Sequence, residues 1–119
     1  VRISRAAGRH RSVEDPGNYS FERLTQKCGM MEALLFHVGA EPTGNGQQHD
    51  VEELFLVLSG TVKMRTPDRS SILEADDCAY FPGHLAHQMR RIESELATAV
   101  IAVARERFPI RRTQAATLT

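Results

Sequence analysis

The feature that most constrains this chain is a succession of short β-type runs, each closed by a turn cluster. The runs are 19–25, 30–38, 53–58, 61–65, 71–73, 78–81, 88–92 and 97–104. Between them stand Pro42-Thr43-Gly44-Asn45-Gly46, Ser59-Gly60, Pro67-Asp68-Arg69 and Pro82-Gly83. No helical periodicity persists for more than about ten residues. Many short strands at this spacing predict an all-β sandwich or barrel, and 119 residues make one domain. Gly60 is expected at positive φ, which is cheap only for glycine. Pro82 lacks an N–H and suits a strand end.

The flanks differ from this body. Residues 1–18 are Arg-rich and end in the turn signal Asp15-Pro16-Gly17-Asn18, so they read as a linker or N-terminal arm. The domain proper is expected over 19–107, with 108–119 a polar, frayed tail. The chain opens on Val1 rather than Met, which reads as a processed product or excised fragment. Arg2, Arg5, Arg9 and Arg11 load one end, and Arg105, Arg107, Arg111 and Arg112 the other. The net charge is zero, so the body between is acidic. A nucleic-acid binder presents a basic face on its folded body; direct nucleic-acid contact by this domain is not expected. No stretch is long and apolar enough to span a bilayer as a helix, so no membrane partner is expected. Cys28 and Cys78 lie in apolar runs without a CxxC and read as reduced core thiols, which suggests a cytoplasmic protein. The strands around Leu54 to Leu58 and Thr98 to Ala104 are apolar on both parities. They are expected to be covered on both faces, outwardly by a second copy in a homodimer.

Chemistry concentrates in three residues. His49 and Glu53 are four apart, and His87 lies 34 residues beyond Glu53. Like parity in a strand means a shared face, so Gln47, His49, Glu53, Phe55 and Val57 are expected to point one way, unless a turn near Asp50 breaks the count. Two imidazoles and a carboxylate suit Fe(II) with open positions or Zn with a water; Mn and Ni also suit. The alternative is a pocket whose His and Glu simply hydrogen-bond to each other and to water. Parity from His87 brings Met89 and Arg91 to its side. Arg91 is a candidate clamp for a carboxylate or phosphonate; otherwise it is a strand-end surface charge. Tyr80 and Phe36 are candidates to line the lumen. His37 reads as structural and His84 as a solvated loop residue. No GxSxG, Walker loop or GxGxxG is present.

Residues 44–60, Gly-Asn-Gly-Gln-Gln-His-Asp-Val-Glu-Glu-Leu-Phe-Leu-Val-Leu-Ser-Gly, resemble the first cupin motif, G-x5-H-x-H-x3-E-x6-G. His49, Glu53 and Gly60 fall on its second His, its Glu and its closing Gly. Residues 76–91 resemble the second motif, G-x5-P-x-G-x2-H-x3-N, with Pro82 and His87 in register. The departures are Gln47 for the first His, Asp76 for the opening Gly, Gly83 one place early, and Arg91 for the final Asn. The resemblance implies a double-stranded β-helix, the cupin jelly-roll barrel. It also implies a divalent metal (Fe, Zn, Mn or Ni) held by His49, Glu53 and His87, with Gln47 as a weaker fourth ligand. The pocket for a small-molecule ligand is then lined by Phe55, Val57, Tyr80, Met89 and Arg91. More finely, the chain resembles the C-terminal cupin of helix-turn-helix regulators of the xenobiotic-response-element family. These share an Arg-rich lead-in, a Tyr-Ser-Phe-Glu-Arg-Leu-Thr strand, a Met-Glu-Ala-Leu-Leu strand and His-x3-Glu without the first His. That implies a ligand sensor rather than an enzyme. The alternative is a mononuclear-iron cupin enzyme, similar to the hydroxypropylphosphonate epoxidases.

Overall fold

The computed structural model describes residues 1–15, 18–26, 29–44, 50–92 and 96–105. After a single 3-10 turn at Ala6–Gly8 come nine strands: β1 Arg11–Asp15, β2 Tyr19–Arg23, β3 Met31–Val38, β4 Val51–Ser59, β5 Val62–Thr66, β6 Arg69–Leu73, β7 Cys78–Pro82, β8 Gln88–Arg91 and β9 Ala97–Arg105. They form two antiparallel sheets. One has the order β1-β2-β3-β9-β4-β7 and the other β6-β5-β8. This is the double-stranded β-helix that the motifs imply. All eight expected runs are strands, and Pro82 closes β7 as its lack of an N–H requires.

Alternation builds the core. In β4, Val51, Glu53, Phe55 and Val57 face inward and are buried, while Glu52 and Leu58 are exposed. The inward residues of β9 are small, Ala97 and Ala99, then Ile101, so the second sheet can close over them. Val62, Met64 and Met89 come from that sheet. Phe55, Val57 and Val62 are essentially inaccessible, and burying each such side chain stabilises the fold by about 1.5–3 kcal/mol. On β2 and β3, Glu22 and His37 face outward and their side chains lie 2.8 Å apart. That hydrogen bond, with Arg9 beside it, holds the Glu22 carboxyl below its ordinary range, and His37 is structural.

Within the lead-in, Arg11–Asp15 pairs with the free edge of β2. Two expectations are corrected. Cys78 is exposed rather than a core thiol, since it pairs with Leu56 on the outer parity of β4. Tyr80 pairs with Leu54 on that outer face; it is 65% exposed and donates its hydroxyl to Glu52 at 2.5 Å. That bond to a carboxylate raises the Tyr80 pKa. Cys28 lies outside the described residues. The outer face also leaves Leu58 exposed.

Left-handed backbone marks the turns. Gly60 has φ 76°, as expected, and so do two non-glycines, Asp50 (66°) and Asp76 (75°). Asp76 stands where the second motif has its opening Gly, and it keeps the conformation that glycine would take. Aspartate is among the few residues that tolerate this region. Its N–H donates to the Val57 carbonyl at 2.8 Å, joining the turn to β4. Asp76→Gly is therefore expected to raise stability, by about 0.5–1 kcal/mol. Asp76→Val should lower it by more than that, because a β-branched residue is an outlier at positive φ. Urea denaturation midpoints of the two variants check the signs.

Candidate metal centre

Glu53 is placed by β4 at the end of the larger sheet where β7 and β9 also terminate. It sits opposite Phe81 on one side and Val103 on the other. His87 reaches the same point from the loop that leads into β8. Its Nδ1 is 2.8 Å from the Leu85 carbonyl, which assigns the proton to Nδ1 and leaves the Nε2 lone pair facing inward. The Phe81 ring packs against the imidazole, with centroids 4.6 Å apart. Nε2 then stands 3.8 Å from Glu53 Oε2.

That separation is too long for a hydrogen bond, so the two groups do not satisfy each other directly. It suits a bridging ion. Ligands about 2.0–2.2 Å from one metal can be at most roughly 4.2 Å apart. A second-shell carbonyl fixing the tautomer is the usual companion of a metal-binding imidazole. Burial desolvates Glu53 and pushes its carboxyl up, against the opposing pull of the Arg105 charge and of His87 when that imidazole is protonated. The donor set therefore fits a divalent cation, which relieves a desolvated carboxylate. Among the described residues no third His, Cys, Asp or Glu completes a cluster. His49 and Gln47 lie outside the described residues. Asp50, just ahead of Val51, has φ 66°.

The raised Glu53 carboxyl sets a pH dependence. A carboxyl whose folded pKa lies above its unfolded value favours the folded state at low pH, and that contribution fades as pH rises through the folded pKa. In metal-free protein, Glu53→Gln is thus expected to be more stable than the parent at pH 7, on the order of 1 kcal/mol. Near pH 4 the difference should vanish. Chemical denaturation after chelator treatment, at both pH values, measures it.

The other expected pocket residues are more scattered. Phe55, Val57 and Met89 are buried in the packed core. Arg91 does share the inward parity of Met89, since it pairs with Val62 as Met89 pairs with Met64. However, its N–H binds the Gly39 carbonyl, at the opposite end of the sheet from Glu53. Four extended residues from His87 are roughly 13 Å, so Arg91 is poorly placed to clamp a ligand at this centre. Its Nε is buried with no hydrogen-bond partner among the described residues. His84 is an exposed loop residue. A cavity of about 400 Å³ opens where the free edges of β6 and β7 face each other. Met64, Leu73, Ala79, Phe81 and Leu85 are among its walls, and Phe81 also packs against His87.

Sequence reasoning passed over three charged residues on the inner face beside Glu53. They are Arg23, the last residue of β2; Glu32, the second of β3; and Arg105, the last of β9. Arg105 Nη2 lies 3.2 Å from Glu32, and Arg23 Nη1 lies 3.9 Å from it.

No curated protein matches the chain in sequence. Several solved structures share its fold. The Fe(II) form of HppE superposes with a TM-score of 0.72 at 18% identity, over 87% of this chain and 60% of that one. An HTH_3 family transcriptional regulator from Vibrio cholerae gives 0.71 at 20%, over 82% and 56%. KdgF from Halomonas sp. gives 0.73 at 13%, over 92% and 98%. The chain thus spans about three-fifths of the length of the first two. At these identities the likeness speaks for the fold alone. The family is shown independently: the Cupin_2 model, a cupin domain, matches residues 34–104, more than half of the chain, and this protein belongs to the cupin family.

Proposed function

We propose that this domain is the small-molecule-sensing cupin of a bacterial transcription regulator. In this reading it holds a divalent metal, works in the cytoplasm, and is joined to a DNA-binding part outside this chain. The observation that carries the metal half is the 3.8 Å approach of Glu53 to a His87 whose tautomer is set by Leu85. His49 is the third expected ligand and Gln47 the fourth. An ion bound there supplies a Lewis-acid position for one ligand atom, and the iron in HppE favours Fe(II) as the first ion to test. The regulator half is supported by the HTH_3 neighbour, of which this chain covers a little over half, and by the acidic body flanked by Arg-rich ends. A ligand acts on an attached module only through different affinities for two states. A homodimer through the outer sheet face, where Leu58 and Tyr80 lie exposed, would transmit the change; sedimentation equilibrium reads the subunit number.

Two measurements decide between sensor and enzyme. The coding region upstream of Val1 is expected to encode a helix-turn-helix module in frame. The Fe(II)-loaded chain is expected to consume no dioxygen when supplied with small hydroxy acids or hydroxyphosphonates. Sustained oxygen uptake with product formation would replace the sensor reading by an oxygenase or epoxidase type.

A further inference from the structure

Cross-strand register sets the charged groups beside Glu53. Glu32 on β3 and Glu53 on β4 both face Val103 of β9, from opposite sides. Their backbones are therefore about 10 Å apart on one inner row. Glu32 draws two guanidiniums, Arg105 and, more loosely, Arg23. The three side chains together carry one net positive charge. Their environment is half-enclosed: Glu32 is 14% exposed, Arg23 36% and Arg105 40%. Within it, Arg23 Nη1 is shielded from water yet has no hydrogen-bond acceptor among the described residues. A shielded cationic N–H without an acceptor is an unfavourable arrangement that natural proteins seldom leave uncompensated.

We infer that this end of the barrel is an oxyanion-receiving site, in which Arg23 and Arg105 bind the carboxylate or phosphoryl group of the small ligand while Glu32 holds the two guanidiniums in place. The inference deepens the sensor reading by naming the ligand class, and it rests on that reading for the ligand's existence. A neutral ligand oxygen can accept from the Arg23 N–H but leaves the positive charge of the cluster uncompensated. A cationic ligand meets two guanidiniums. A monoanion matches the net charge of the cluster, and its oxygens can accept in the forked geometry that guanidinium prefers. Glu32 has a second effect: it competes with the ligand for the same donors.

The test uses the full chain as purified, at low ionic strength, titrated with inorganic phosphate, acetate and, as the uncharged control, acetamide. Binding is read by isothermal calorimetry and by backbone amide shifts. Saturable binding of phosphate or acetate, and none of acetamide, is expected. Which anion binds tells a phosphoryl ligand from a carboxylate one. Arg23→Gln and Arg105→Gln should each weaken it about tenfold or more, the scale of one charge-assisted hydrogen bond. Glu32→Gln should strengthen it, because the amide oxygen still accepts from the guanidiniums and holds them while the competing negative charge is gone; mere structural damage cannot produce that change of sign. His87→Ala separates the two sites. Anion binding that survives in it belongs to the arginines, whereas anion binding that disappears with the metal belongs to the ion and overturns the assignment. Absence of saturable binding by either anion, or Glu32→Gln binding more weakly than the parent, also overturns it. Should no variant or parent hold metal, the metal reading fails while the arginine result still stands or falls by itself.

Discussion

Gly60→Ala is expected to cost the domain more than about 3 kcal/mol, a large part of the roughly 5–15 kcal/mol that such a fold possesses. Gly60 turns the chain from β4 of the larger sheet into β5 of the smaller one, at φ 76°. A Cβ there would lie 2.3 Å from the Leu96 carbonyl oxygen and 2.8 Å from both Cα and Cβ of Ala97. These are not the ends of flexible side chains. Ala97 is buried and begins β9, which pairs with both β3 and β4 at the centre of its sheet. Relief therefore requires either the turn or the start of β9 to move. The left-handed conformation adds about 1–2 kcal/mol for any residue with a Cβ. Thermal unfolding should show a midpoint lower by about 10 °C or more. Gly8→Ala is the control, because nothing lies within 4 Å of its added methyl and its change should stay within about 0.5 kcal/mol. A Gly60→Ala midpoint within a few degrees of the parent would show that the turn yields, contrary to its packing.

His87→Ala should abolish most metal binding and leave the barrel standing. The substitution removes the Nε2 donor that faces Glu53 and leaves a space beside Phe81, its ring neighbour. Truncating a buried side chain of this size costs about 2–4 kcal/mol, less than the stability of an ordinary domain. Metal affinity should fall at least 100-fold, beyond what losing a supporting hydrogen bond does. Elemental analysis of Fe, Zn, Mn and Ni per chain, beside far-ultraviolet circular dichroism, measures both effects. His49→Ala is expected to behave alike if His49 is the third ligand. Unchanged metal stoichiometry in His87→Ala, with the β signature intact, would remove His87 from the centre.

The strands from Tyr19 onward were legible because each is announced locally, by alternation or an apolar run and by Gly or Pro at its end. β1 was not. Arg11-Ser12-Val13-Glu14-Asp15 has little intrinsic reason to extend, and it does so because β2 offers an unpaired edge. Parity predicted which residues of one strand share a face, as Val51, Glu53, Phe55 and Val57 do. It could not say which parity of β7 turns inward; pairing with β4 decided that, and sent Cys78 and Tyr80 outside.

Glu53 and His87 were legible through motif spacing, which stores a three-dimensional convergence in a one-dimensional pattern. Arg23, Glu32 and Arg105 carry no such pattern. They end or open three different strands, where charged residues are ordinary, and nothing local distinguishes them from solvated termini. The sequence alone therefore determined the strands, the turns and the motif positions, since these depend on near neighbours and on spacing. Only the tertiary structure decided which charges meet, because cross-strand register is set by the pairing of segments far apart in the chain.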